Sequence, residues 1–184
     1  MRRILPMLGL LLVLEAGLVQ IHAQMSGQQG AEPMGSMAMH HGKPVKPTGP
    51  LTISFNGKQA AWPLARLSAL PHTTITVYNE HTKKKETYAG VPLTDLLTPL
   101  GVPAKPHGKD FKLYVVVEGA DGYKVVYSAA EVTPDVHDAT VLVADTEDGK
   151  PIGDDGPLKL VATGEKRPAR WVRNLASISV ETVQ

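Results

Sequence analysis

Lys166, Arg167, Arg170 and Arg173 stand within eight residues, just after Gly164. Guanidinium groups grip phosphate or sulfonate oxygens in bidentate fashion, an ammonium adds a point charge, and a glycine lets backbone N–H groups approach the same anion. The segment is therefore a candidate anion site. A plainer reading pairs these side chains with the acids of residues 145–155 or leaves them in water, with Arg170 laying its stem on Trp171. Asp121-Gly122-Tyr123 offers a carboxylate and a phenol that suit a pocket mouth. Asp-Gly is equally a strong hairpin turn, and Tyr123 alternates with Val125 and Tyr127 as one face of a strand would, which favours a structural role.

A third group lies further upstream. Met34, Met37, Met39, His40 and His41 fall within eight positions, densest at Met37, Met39, His40 and His41. Thioethers suit Cu(I) and imidazoles accept either oxidation state, so copper is the metal these ligands could take. Their surroundings hold almost no branched aliphatic residue, and no burial offsets the cost of ordering them. A flexible spacer is the preferred reading. Asp135, His137 and Asp138, and the acids Asp145, Glu147, Asp148, Asp154 and Asp155, lack the alternating oxygen register of a calcium loop and read as solvated turns. His72, His81 and His107 sit beside prolines and lysines and read as loop residues.

Composition removes whole classes of chemistry. The 184 residues include no Cys, which excludes disulfides, thiolate metal sites, iron–sulfur clusters and a thiol nucleophile. Nineteen basic against eighteen acidic side chains is not the basic excess of a nucleic-acid binder. Neither a Gly-x-Ser-x-Gly elbow nor a His-Glu-x-x-His pair nor a phosphate loop occurs.

These groups need elements to position them. Residues 1–23 read as an export signal, with Arg2 and Arg3 ahead of an apolar run at 4–14 and a cleavage end at Ala23. Eleven apolar residues fall short of the ~20 of a spanning helix, so no stable membrane span is expected after cleavage, a retained anchor being the alternative. Taking Arg2, Arg3 and Glu15 from the 19 basic and 18 acidic groups leaves 17 of each. Residues 24–50 form the Met/His/Gly/Pro-rich linker, and 51–184 the globular domain.

Within that domain the pattern predicts strands more than helices. Leu51, Ile53 and Phe55 alternate before an Asn56-Gly57 turn; residues 73–78, 111–118, 123–127, 140–144, 158–162 and 178–183 read as further strands. Val115-Val116-Val117 suggests burial on both faces. Lys83, Lys84 and Lys85 read as a solvated hairpin tip. Leu93, Leu96, Leu97 and Leu100 have helical spacing behind Pro92, with Pro99 distorting the last turn and Gly101 closing it. Ser128 and Glu131 have the form of a second helix start that Pro134 cuts short. The class expected is α+β, a mixed β-sheet or barrel-like core with a few short helices.

Four segments in order, Tyr88-Ala-Gly90-Val91-Pro92-Leu93-Thr-Asp95-Leu96-Leu97, Gly119-Ala-Asp121-Gly122-Tyr123, Gly156-Pro157-Leu158-Lys159-Leu160-Val161 and Lys166-Arg167-Pro-Ala-Arg170-Trp171-Val172, resemble the oxidoreductase molybdopterin-binding domain of the sulfite oxidase family. The resemblance covers roughly residues 73–183. It implies a mixed α+β fold that, in catalytic members, holds molybdenum on a pterin dithiolate and transfers an oxygen atom. It makes a pterin phosphate the natural guess for Lys166 and Arg170. Catalytic members also supply a Cys thiolate from the segment before Tyr-x-Gly-Val-Pro-Leu, and here that segment is Thr76-Val77-Tyr78-Asn79-Glu80-His81, without sulfur. The expectation is thus a periplasmic or secreted protein that binds a small anionic ligand or a protein partner. A molybdopterin-dependent oxidoreductase and a copper-binding protein are the alternatives.

Overall fold

Apolar residues at every second position give β1 (Leu51–Phe55) one buried face of Leu51, Ile53 and Phe55. The chain then reverses through Asn56 and Gly57, at φ 48° and 73°, into β2 (Lys58–Trp62). Here and below, the computed structural model describes residues 49–184. The leader of residues 1–23 and nearly all of the 24–50 linker, with Met37, Met39, His40 and His41, lie outside the described residues.

The first sheet runs β2-β1-β10-β5-β6, where β5 is Leu113–Gly119, β6 is Lys124–Ser128 and β10 is Leu175–Thr182. All its neighbours are antiparallel except β1 and β10, so the last strand of the chain lies at the centre, beside the first. The second sheet runs β3 (Thr73–Asn79), β4 (Lys84–Pro92), β7 (Val141–Glu147), with β8 (Lys150–Pro151) and β9 (Lys159–Ala162) sharing the far edge of β7. Between β4 and β7 the register passes from Ala89↔Thr146 to Gly90↔Ala144, leaving Asp145 as the extra residue of a β-bulge.

One run of chain belongs to both sheets. Val172 exchanges two backbone hydrogen bonds with Leu160 of β9, at 2.8 and 3.2 Å, and Leu175 N–H donates to the Leu158 carbonyl at 3.0 Å before β10 enters the first sheet. Between the strands sit two short helices, α1 (Leu64–Leu67) and α2 (Leu93–Leu97). The second continues as a 3-10 turn over Thr98–Leu100 and ends at Gly101 with φ 102°. Leu93, Leu96, Leu97 and Leu100 are buried, and such short helices persist only through that packing.

The chain is therefore mixed α+β, mostly strands with a few short helices, as its pattern predicts. Three details differ. The sheets do not close into a barrel: β2 and β6 end the first and β3 is an outer strand of the second, each paired on one side. Val116 is part-exposed between fully buried Val115 and Val117, because β5 lies in an antiparallel sheet with one wet face. At Ser128 the capping bonds form, Ser128 N–H to Glu131 Oε2 at 2.8 Å and Glu131 N–H to Ser128 Oγ at 3.2 Å, but no helix follows. Pro134 lacks the N–H that the next turn would need.

Candidate functional site

Thr-Thr-Ile-Thr-Val-Tyr is rich in β-branched residues and holds β3 extended at the margin of its sheet. Thr76, Val77, Tyr78 and the following Glu80 face residues 162–166 across an open groove of about 330 Å³. The opposite wall is fixed from behind. Thr163 N–H donates to the Thr140 carbonyl at 2.9 Å, Thr140 N–H donates to Thr163 Oγ1 at 2.7 Å, and the Trp171 indole donates to the Ala162 carbonyl at 3.1 Å. Gly164 turns the chain at φ 79°.

The groove's charges do not cancel. Glu80 pairs with Lys83 at 2.6 Å and Glu165 with Arg170 at 2.5 Å, so both of its acids are neutralised from outside it. Lys166 and Arg167 are exposed and make no ion pair or side-chain hydrogen bond among the described residues. Of the two, Lys166 lines the groove and Arg167 follows it in the chain. Lys84 and Lys85, also unpaired, stand opposite Asn79 and Tyr78 in the β3–β4 register. What remains is a groove lined by Thr76, Tyr78 and Thr163 hydroxyls and by one unpaired cation, Lys166, with Arg167 adjacent in the chain.

Four other sequence candidates stand behind this wall. Arg170 binds Glu131 at 3.0 Å as well as Glu165, and its guanidinium lies 4.4 Å from the Tyr127 ring centroid. It stacks on Tyr127 where the sequence suggests Trp171. Arg173 reaches Asp155 at 3.4 Å, the pairing with the 145–155 acids that the plainer reading expects. Asp121 accepts from Tyr123 N–H at 3.0 Å as an Asx turn, and the Tyr123 and Tyr127 hydroxyls donate to the Ala169 and Arg170 carbonyls. Asp121 and Tyr123 thus brace the basic segment, and the groove brings together only Lys166, with Arg167 next to it.

A buried polar network adjoins the groove through Val77, which pairs with Glu86 across β3 and β4. Lys159 is only 5% exposed, yet carries an ammonium. It donates to Asp155 at 2.7 Å and to the Tyr88 hydroxyl at 2.9 Å, and lies 4.9 and 5.6 Å from the Tyr88 and Trp171 ring centroids. Tyr88 has one proton to share between Glu86, at 2.8 Å, and Glu147, at 3.0 Å. Burial and the adjacent Glu86 and Glu147 carboxylates push that hydroxyl's pKa far up, so it stays protonated. Burial alone would raise Glu86 too, but hydrogen bonds from Thr82, Asn79 and Tyr88, with the Lys159 charge, hold it below the usual carboxylate range. A lysine inside the apolar run of residues 158–161 is the sequence signal that could have revealed this network.

The bulge at Asp145 builds a second polar cluster. Its carboxylate accepts from Ser68 Oγ at 2.6 Å, Thr146 Oγ1 at 2.8 Å and His72 Nε2 at 3.1 Å, while His72 Nδ1 lies 2.7 Å from the Leu70 carbonyl. With acceptors at both ring nitrogens the surroundings favour the protonated imidazole. Burial works against that charge, and the Leu70 carbonyl and Asp145 outweigh it, raising the His72 pKa. Ser68 and His72 both bond to Asp145, so serine, histidine and aspartate do not form the serine-to-histidine relay of a hydrolase. No sequence signal links residues 77 positions apart.

Among the described residues no group of three or more His, Cys, Asp or Glu side chains is placed to hold a metal. No helix among them is long and apolar enough to cross a membrane. No family model matches the chain, and no curated protein matches it.

Proposed function

We propose that this chain is an exported binding protein for an anionic group, acting in the periplasm or outside the cell and without molybdenum catalysis, and that the groove between β3 and residues 162–166 is its site. The observation that carries the reading is the unpaired state of Lys166 and Arg167 beside a groove whose two acids are already neutralised. A dianion entering there meets two cations with no carboxylate to displace, and Tyr78, Thr163 and the backbone of Gly164 offer further hydrogen-bond donors.

The groove also joins the two segments that the molybdopterin resemblance singles out, residues 76–81 and the basic run. Of the pterin-bound metal group, the anionic half fits Lys166 and Arg167. The metal half does not, because the chain has no thiolate to give and its Thr76-Val77-Tyr78 wall presents hydroxyls and a valine. Arg170, the other residue that the resemblance assigns to a phosphate, is saturated by Glu131 and Glu165.

Inorganic phosphate, titrated into the full chain and followed by amide chemical shifts, tests the site. Residues 76–78 and 163–167 shift together, and Lys166→Ala with Arg167→Ala weakens binding about tenfold where Lys109→Ala, a charge control elsewhere, does not. Equal binding by both variants would sink the assignment. Molybdenum and pterin present at one per chain in protein purified from its own host would overturn the non-catalytic half of the reading.

A further inference from the structure

Sheet edges are usually blunted, covered or paired, since their free N–H and C=O groups template another strand. In this fold β6 is covered: the hydroxyls of Tyr123 and Tyr127 donate to the carbonyls of Ala169 and Arg170, whose guanidinium approaches the Val126 carbonyl at 3.4 Å. At β2, Arg66 lies 3.9 Å from the Trp62 ring centroid and reaches the Ala61 carbonyl. β3 has no such cover. Its seven residues contain no Pro, Gly or Lys, and Thr73 to Tyr78 make no backbone hydrogen bond other than those to β4. The facing wall cannot complete it, because the Ala162 carbonyl and the Thr163 amide are already spent on Trp171 and Thr140.

We infer that β3 is a strand-addition site, and that the anionic group bound in the groove belongs to an extended acidic segment of a partner protein that pairs with β3. This rests on the reading of the groove as an anion site and names what carries the charge. An added strand lies ~4.8 Å from β3 on the side away from β4, beside Thr76, Val77 and Tyr78, the three residues of β3 that line the groove. Backbone pairing supplies register without regard to sequence, while side chains on alternate residues meet what flanks the edge. Here that is Lys166 on the far wall, with Arg167 next to it in the chain, and Lys84 and Lys85 on β4 beyond β3, all unpaired, so acidic side chains on the incoming strand are selected.

The probe is a fluorescein-labelled octapeptide of alternating glutamate and valine, titrated into the full chain by anisotropy. The expected result is saturable binding, weakened about tenfold when glutamate is replaced by glutamine and by a similar factor in Lys166→Glu with Arg167→Glu. Two further peptides are methylated at alternate backbone nitrogens, one on the glutamates and one on the valines. One set of nitrogens faces β3 and the other faces solvent, so one peptide loses about tenfold and the other binds as the parent does. If both methylated peptides match the parent, charge alone holds the segment and strand addition is wrong. If phosphate binds and the acidic peptide does not, the partner is wrong and the anion site stands; if neither binds, both fail. A dimer of the protein alone, broken by Thr76→Pro in a variant with unchanged circular dichroism, would assign the edge to a second copy of this chain and overturn the acidic partner.

Discussion

Asp145 and His72 each favour the other's charged form, and this has a pH signature. A histidine whose folded pKa is raised contributes stability that is complete below its unfolded value of about 6.5 and lost as pH rises through the folded value. Burial would raise Asp145, but hydrogen bonds from Ser68, Thr146 and His72 lower it, so its contribution is complete above about pH 4 and lost as pH falls through the lower folded value. Both terms are present together between about pH 4 and 6.5. His72→Gln therefore costs about 1 kcal/mol near pH 5.5 and progressively less toward pH 9, measured by urea unfolding at each pH. A pH-independent difference would show that His72 acts through packing alone. Lys159 is the larger risk, because its removal takes the buried cation from beside Glu86 and leaves Asp155 to Arg173 alone. Lys159→Ala is expected to cost about 3 kcal/mol, read from the same unfolding curves. Of these residues the sequence exposes only part of the logic. The basic run is visible as charge, but which of its members are neutralised depends on Glu131, Glu165 and Asp155, brought to them by strand pairing.

Elements were more legible than contacts. Asn56-Gly57, Asp121-Gly122 and Asp148-Gly149 each occur at a hairpin turn with a positive φ, and the leucine spacing with Pro99 foretells both α2 and its 3-10 ending. Local chemistry decides these, so local sequence reveals them. β4 was hidden for the opposite reason: it runs from exposed lysines through buried Glu86 and Tyr88 to Pro92, and its strand character comes from lying between β3 and β7. The β-bulge that frees Asp145 is likewise a property of the pair. Gly90 marks it, since a Cβ there would lie 2.2 Å from the Val143 carbonyl oxygen and 2.5 Å from Ala144 Cα, both backbone atoms. Gly90→Ala should destabilise the fold by about 3 kcal/mol and remove the slow amide exchange of residues 143–146, checked by hydrogen exchange. Retained protection there would mean that β4 and β7 can part without loss.

At the scale of the whole molecule, two open sheets share the chain that runs from Trp171 through Leu175 into β10. The barrel-like core expected from the sequence would need edges that meet, and nothing in strand propensity distinguishes a closed sheet from two open ones. Sharing makes the sheets depend on each other. Cutting the chain after residue 174 removes β10, the strand that links β1 to β5, and the remainder should show no cooperative thermal transition by circular dichroism. A sharp transition in that fragment would show that the second sheet stands by itself.

That β10 is both last in order and central in place also shapes how the protein comes into being. Synthesis delivers β1 long before β10, so the seat beside β1 stays vacant until Leu175–Thr182 has been made. The first sheet can therefore close only through a pairing between distant parts of the chain, the kind of contact whose loop-closure cost slows folding most.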